Sequence, residues 1–371
     1  MISVKAPGKL YIAGEYAVLE QNCPAILVAL NRYVFVTIKQ SENQTGSIYS
    51  KQYSQDSLHW VRHGDKIIID NRDNPFAFIL SAIQYTEKYV LERGIRLAVY
   101  DLHVNSNLDS ADGKKYGLGS SAAVTVATVK AILQFYQLPV TRDLLFKIAA
   151  IAHYSVQKNG SAGDVASSVY GGWLAYQTFD KKWLKDELRS KTFLQVVTEA
   201  WPGLKIQSLE PPKGLQLLIG WTQKPASTSQ LVDESNAQKA VLQYSYAKFL
   251  LNSRQCVLRI IAGFAKGNIH LIQQQIRANR LILQKFGQLN HIAVEIPRLH
   301  QLISIAEKHH GAAKTSGAGG GDCGIVIGSA DTEVDALKQE WLANGILPLD
   351  FQVHPAGQTV VVESEKQNGC R

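Results

Sequence analysis

Cysteine is scarce in this chain: four in 371 residues, at positions 23, 256, 323 and 370. No two have C-x-x-C spacing, so neither a zinc site nor a disulfide framework is indicated, and isolated reduced thiols are expected. Long apolar runs are missing too. None approaches the roughly 20 residues that cross a bilayer. The opening MISVKAPGKL has no apolar core of a secretory signal. These features predict a cytoplasmic protein with no membrane partner. Basic clusters are also absent. The net charge of +8 is spread along the chain without a polybasic block, so small phosphorylated substrates account for it with fewer assumptions than nucleic acid does. A GxxxxGK[ST] loop is absent, which excludes a Walker-type phosphate site.

What is present reads as a folded chain, 46% hydrophobic and 19% charged, long enough for one or two domains. SVKAP and ALNRYVFVTIKQ read as strands, and GKLYIAGEYAVLEQNCPAILV between them is broken by Gly8, Gly14 and Pro24. GSIYSKQYS, DKIIIDN and IRLAVYDLHVNS continue the β character, with a helix before Gly94. From Ser120 come two helical patterns, the second capped by Thr141. The charged stretch 180–214 ends in Pro-Pro and predicts a boundary, with units at 1–213 and 214–371. Beyond it lie a strand LQLLIGWT, helical patterns over 229–266, 268–287 and 293–310, and two β runs around GAAKTSGAGGGDCGIVIGS. A helix TEVDALKQEWLANG and strands LPLDFQV and TVVVES close the chain. The fold class expected is α+β.

The chemistry is concentrated in loops. DGKKYGLGSSAAVTV, 112–126, places two spaced glycines and two serines at the start of a helix. Such a turn exposes backbone N–H groups and the positive end of the helix dipole, which is a phosphate site. Gly117 and Gly119 allow close approach of an anion, Ser120 and Ser121 add hydroxyls suited to phosphate oxygens or magnesium, and Lys114 and Lys115 add charge. Alone, the same loop serves equally as a flexible leader to a helix cap. GGGDCG, 319–324, matches GxGxxG in form, but a strand and not a helix comes after it, against a dinucleotide site. Three more stretches strengthen the phosphate reading: APGKLYIAGEYAVL with Lys9 on a Pro-Gly turn, NGSAGDVASSVYGG with Asp164, and KTSGAGGGDCGIVI, a second glycine-rich loop.

With these motifs in order along nearly the whole chain, the sequence resembles the GHMP kinase superfamily. Within it, the forms DGKKYGLGSSAA, NGSAGDVASSVYGG, GWTQKPASTSQLV and SGAGGGDCG are most similar to the bacterial members that act on phosphomevalonate. The resemblance implies a GHMP fold: an N-terminal domain like ribosomal protein S5 domain 2 and a ferredoxin-like C-terminal domain. It implies transfer of the γ-phosphoryl group of ATP, with Mg²⁺, to (R)-5-phosphomevalonate, giving 5-diphosphomevalonate. Carried over by position, Gly117, Leu118, Gly119, Ser120, Ser121 and Ala122 would hold ATP, and Ser121 would also bind magnesium. Lys9 and Asp164 would be catalytic. Lys9, Tyr16, Lys115, Ser161, Ser227, Ser316, Gly317 and Ala318 would line the acceptor pocket.

The chain departs from the pattern at one position. Eleven residues before Asp164, where mevalonate kinase-like members carry a magnesium-binding glutamate, stands His153. Imidazole is a poor ligand for hard Mg²⁺, so a structural part is expected for His153. The same substitution argues against a hydroxyl acceptor, while intact Lys9, Ser121 and Asp164 argue against a silent ligand-binding relative.

Overall fold

A computed structural model describes residues 1–50, 57–69, 76–110, 112–223 and 243–357. Its first layer is an eight-stranded sheet: β1 (Ile2–Ala13), β2 (Ala25–Gln40), β3 (Thr45–Ser50), β4 (Leu58–His63), β5 (Lys66–Ile69), β6 (Tyr100–Ser106), β7 (Trp173–Gln177) and β8 (Lys205–Leu209). The order is β5-β4-β3-β6-β2-β7-β8, with β1 paired antiparallel along β2. β2 is the spine. Its Val, Ile and aromatic residues favour an extended, half-buried backbone. Its first six residues are all buried, and Val34, Val36 and Ile38 then alternate inward with half-buried neighbours.

Helices α1 (Ala77–Glu92), α2 (Ser120–Phe135), α3 (Arg142–Gln157), α4 (Gly163–Tyr170), α5 (Lys181–Ser190) and α6 (Phe193–Thr198) accompany this sheet. α2 lies against β1 and β2, flanked by α1, α3 and α4. Ala122, Ala123, Ala127 and Ala131 are fully buried, and their small side chains let the helix sit close to the strands. Thr141 caps α3 by accepting from the Leu144 N–H at 3.3 Å, as its position predicts. Asp180 caps α5, and Thr192 with Gln195 forms a capping box on α6.

The second layer is a four-stranded antiparallel sheet, β10-β11-β9-β12, of β9 (Gln216–Trp221), β10 (Ala312–Thr315), β11 (Cys323–Gly328) and β12 (Leu347–Pro348). Helices α7 (Gln243–Ala265), α8 (Ile269–Asn290), α9 (Pro297–Lys308) and α10 (Val334–Ala343) complete it. We propose to keep the boundary at 213/214, since strands up to Leu209 serve the first sheet and strands from Gln216 the second. The cores are not separate. One buried cluster joins Leu10 and Val28 of the first sheet to Ile219, Trp221, Val257 and Ile260 of the second layer. The C-terminal segment also returns to the first sheet, where Val353 bridges Leu30. The α+β class stands. LPLDFQV, expected as a strand, contributes only Leu347–Pro348, and TVVVES lies outside the described residues.

Candidate active site

β1 does not stop at its proline and glycine, and Lys9 therefore lies within a strand and not on a turn. The pairing with β2 shifts register between Pro7 and Lys9, a bulge at which the missing Pro7 N–H costs no ladder bond. The bulge also frees the Lys9 N–H, which donates to the Leu118 carbonyl at 2.8 Å. Gly8 makes that approach possible: a Cβ there would lie 2.6 Å from Leu108 Cδ2 and 3.0 Å from the Leu118 oxygen. The strand bearing Lys9 is thus tied directly to the loop before α2.

That loop opens the helix without a side-chain cap. Gly119 at the N-cap adopts a left-handed φ of 73° and makes no side-chain cap bond to the first turn. The first N–H groups of a helix have no intrahelical partner, so they face outward as anion donors. A Cβ on Gly119 would meet Lys9 Cε at 2.9 Å, so the stem of Lys9 crosses this glycine. A Cβ on Gly117 would meet the Asp322 carboxylate at 2.5 Å, so the second glycine-rich loop packs against the first.

Ser121 and Asp164 meet through His153. The Ser121 Oγ lies 3.1 Å from His153 Nε2, and Asp164 Oδ2 lies 4.0 Å from the same nitrogen. The imidazole is buried and stacks on Phe78 at 5.0 Å between centroids. Burial pulls its pKa below the ordinary histidine value, and Asp164 only partly opposes this. Burial likewise lowers the pKa of the half-buried Lys9 ammonium, against the upward pull of Asp164, then Asp322 and Glu15.

The side expected to take the acceptor is built of hydroxyls. Ser161 Oγ and Tyr11 Oη are 3.1 Å apart, Ser316 Oγ donates to the Tyr11 carbonyl at 2.9 Å, and Tyr16 Oη donates to the Ala318 carbonyl at 2.6 Å. The Ser161 backbone is held in turn, its carbonyl accepting from Tyr176 Oη at 2.6 Å and Thr178 Oγ1 at 3.0 Å. Both halves open on one cavity of about 570 Å³, lined by Lys9, Tyr16, Lys115, Gly117 to Ser121, Ser161, Asp164, Ser316, Gly317 and Ala318. Of the residues expected there, Ala122 is not in the wall: its side chain is fully buried in the core. Leu118 borders the cavity but is itself only 2% exposed, contributing backbone. Ser227 lies outside the described residues.

Residues 77–172 match the family model for the GHMP kinases N terminal domain, and 260–347 match the one for GHMP kinases C terminal. A curated phosphomevalonate kinase from Streptomyces sp. (strain CL190) is 36% identical over 355 residues, 93% of this chain and 95% of that protein. The chain belongs to the GHMP kinase family. Among solved structures of this family's fold, a Listeria innocua protein superposes with a TM-score of 0.90 at 36% identity, covering 98% of this chain and 99% of that one. The Streptococcus pneumoniae phosphomevalonate kinase in complex with phosphomevalonate and AMPPNP gives a TM-score of 0.83 at 30% identity, covering 95% and 100%.

Three features of this GHMP kinase site escaped sequence reasoning. Glu15, 2% exposed, pairs with the fully buried Lys314, which also donates to the Thr315 carbonyl at 2.6 Å. Asp322 closes against Gly117. His153 bonds the very serine expected to bind magnesium. Glu15, Lys314 and Asp322 all sit inside the motifs quoted above, but only the fold reveals their partners. For magnesium, the cavity offers hard oxygen donors on Ser121 and Asp164, yet among the described residues no cluster of three metal-binding side chains. That donor set suits an ion carried largely by nucleotide phosphates and water.

Proposed function

We propose that the chain transfers the γ-phosphoryl group of ATP to (R)-5-phosphomevalonate, forming 5-diphosphomevalonate and ADP. One observation carries the reading. A cavity joins an uncapped helix N-terminus to two lysines and a wall of hydroxyls, in a chain 36% identical to a phosphomevalonate kinase along almost its full length. An oxygen of the acceptor phosphate attacks the γ-phosphorus, and the bond from that phosphorus to the bridging oxygen breaks with its electrons leaving on ADP. The acceptor is already ionised near neutral pH, so no strong base is needed. The obstacle is charge: two unit charges at 4 Å repel by about 4 kcal/mol at an effective dielectric of 20. The α2 N-terminus and loop 117–121 hold the ATP phosphates. Lys9 faces the transferred group, steadied by Asp164, which is the strongest of the charges favouring its ammonium form. Lys115, exposed at the cavity rim, would meet the acceptor's phosphate. Mg²⁺, bound with ATP, would neutralise phosphate charge, with Ser121 as its protein ligand. With Nε2 of His153 unprotonated, the Ser121 hydroxyl donates to it and keeps its oxygen lone pairs for the metal. His153 is then a positioning residue. A cytoplasmic setting fits the three buried free thiols at Cys23, Cys256 and Cys323. No described helix is long and apolar enough to cross a membrane.

The test is a coupled ADP-release assay with phosphomevalonate and mevalonate side by side. A site that pairs the acceptor's phosphate leaves its cations unpaired when mevalonate binds, so kcat/KM should favour phosphomevalonate by about 10³-fold or more. Comparable values for the two acceptors overturn the assignment.

A further inference from the structure

Away from the catalytic cavity, a smaller hollow lies where β1, β2, α2, α3 and α4 meet the C-terminal segment. Four basic side chains line it, Lys5, Lys130, Arg142 and His354, and among the described residues no carboxylate does. Its free volume of about 40 Å³ exceeds the 10–15 Å³ a single water requires, and admits one small oxyanion.

Lys130 is the informative member. It sits inside α2 at 6% exposure, more than nine-tenths buried. Burial lowers its pKa, and Lys5, a charge of the same sign, lowers it further. Lys5 itself lies 4.1 Å above the Tyr33 ring. The Tyr33 hydroxyl is 3.2 Å from Nδ1 of His354, whose own pKa is lowered by burial, then by Lys5 and Lys130. The acid next to Arg142 does not relieve this: Asp143 pairs with Lys147 at 2.6 Å. Ser168 spends its hydroxyl on the Pro7 carbonyl at 2.7 Å. A buried ammonium beside a like charge, with no counter-ion among the described residues, is costly, and charges in a protein interior are ordinarily paired.

We infer that this hollow is a second anion site, taking one phosphoryl-type oxyanion, either free phosphate or the terminal group of a small phosphorylated metabolite. Lys130 and Arg142 are its principal donors, and the 40 Å³ leaves any organic remainder outside. Three elements join it to the catalytic cavity. β1 carries Lys5 and Lys9, α2 carries Lys130 and Ser121, and α4 carries Ser168 and Asp164.

The probes are inorganic phosphate and glycerol 3-phosphate, titrated calorimetrically at fixed ionic strength into the wild type, Lys130→Met and Arg142→Ala, with melting curves on the same samples. Neither substitution touches the catalytic cavity, so whatever anion that cavity takes is common to all three proteins and the difference belongs to the hollow. Phosphate should bind each variant about tenfold more weakly or worse at the hollow. Lys130→Met should also melt above the wild type in phosphate-free buffer, because repulsion is relieved, and should lose the phosphate-dependent rise in Tm. Arg142 is exposed, so its variant keeps the test sound if Lys130→Met folds poorly. Tighter binding of inorganic phosphate identifies the free ion as the natural occupant, and tighter binding of the ester identifies a metabolite. Equal anion binding and equal Tm increments in all three proteins overturn the site.

Discussion

Two glycine-rich loops of this kinase border the same cavity and use their glycines differently. Residues 117–121, GLGSS, run into α2; residues 316–322, SGAGGGD, join β10 to β11. In the first, glycine leaves backbone donors uncovered at a helix start, and its φ of 73° at Gly119 turns the chain under Lys9. In the second, glycine lets backbone lie on backbone. The Gly320 N–H donates to the Val294 carbonyl at 3.0 Å, and a Cβ on Gly319 would fall on that same carbonyl oxygen. A run of glycines therefore does not by itself announce a phosphate site. The element on its C-terminal side, helix or strand, decides whether its N–H groups are offered to a ligand or consumed by the fold.

The largest effect expected is at Gly319. Gly319→Ala combines a left-handed φ of 78° with overlap of main-chain atoms that have no room to yield. We expect a loss of about 3 kcal/mol or more in denaturant-induced unfolding. Gly317→Ala is the control in the same loop: its φ is 75°, but nothing lies within 4 Å of the added Cβ, so only backbone strain remains, about 1 kcal/mol. Equal losses at the two positions would mean that strain alone governs the loop and the Val294 contact counts for nothing.

Gly119→Ala should break the other loop in the other way. The atom in conflict is Cε of Lys9, the far end of a flexible side chain, so the fold yields locally and survives. The displaced ammonium is what suffers. We expect kcat to fall about 10²-fold, with stability lower by only about 1–2 kcal/mol. A variant that unfolds like Gly319→Ala, or one that turns over normally, would erase the distinction between the loops.

Much of this contrast was legible before any coordinates, because it is local. The helix after GLGSS, the Thr141 cap and the strands around SGAGGGD arise from neighbouring residues. Local reasoning failed where a longer-range partner overrode it. Pro7-Gly8 reads as a turn, yet β2 carries β1 straight through it by a bulge. The charged stretch after residue 180 reads only as an approach to a boundary, yet Asp180 and Thr192 cap two short helices there, with Leu184, Phe193, Val196 and Val197 buried beneath them. The pattern over 229–266 corresponds to α7 only from Gln243, its earlier part lying outside the described residues. No periodicity links Glu15 to Lys314, or Ser121 to His153, across 299 and 32 residues.

Ser121→Ala sharpens what the first loop offers. The hydroxyl is not a helix cap, since α2 has no side-chain cap bond, so its removal should cost only its bond to the buried His153, about 1 kcal/mol, and leave the fold intact. If Ser121 serves MgATP, the KM for the nucleotide should rise about tenfold, with the phosphate-acceptor KM little altered. A fall in Tm that tracks the fall in activity would make Ser121 a structural hydroxyl instead.

The smallest effect concerns the residue behind that serine. The pKa of His153 is lowered in the folded protein, chiefly by burial, so the folded state stays neutral where an unfolded histidine, with a pKa of about 6.5, binds a proton. The unfolded state then holds the extra proton, and stability falls as pH drops below about 6.5. His354 is lowered in the same direction, whereas His309 is raised by Glu333 and Glu340 and acts oppositely, so the wild-type curve alone does not isolate His153. His153→Gln does, because the other two histidines remain in both proteins. Gln can still bond Ser121 and cannot titrate. The stability of the wild type relative to this variant should decline from pH 7.5 to pH 5.5, measured by denaturant midpoints at each pH. Turnover should hold where stability first declines and fall only at lower pH, as the folded imidazole itself protonates: it then no longer accepts from Ser121 and draws the Asp164 carboxylate, 4.0 Å away, from Lys9. A difference independent of pH would show that His153 titrates as it does in the unfolded chain, and that the bond it makes to the first loop does not depend on its neutral form.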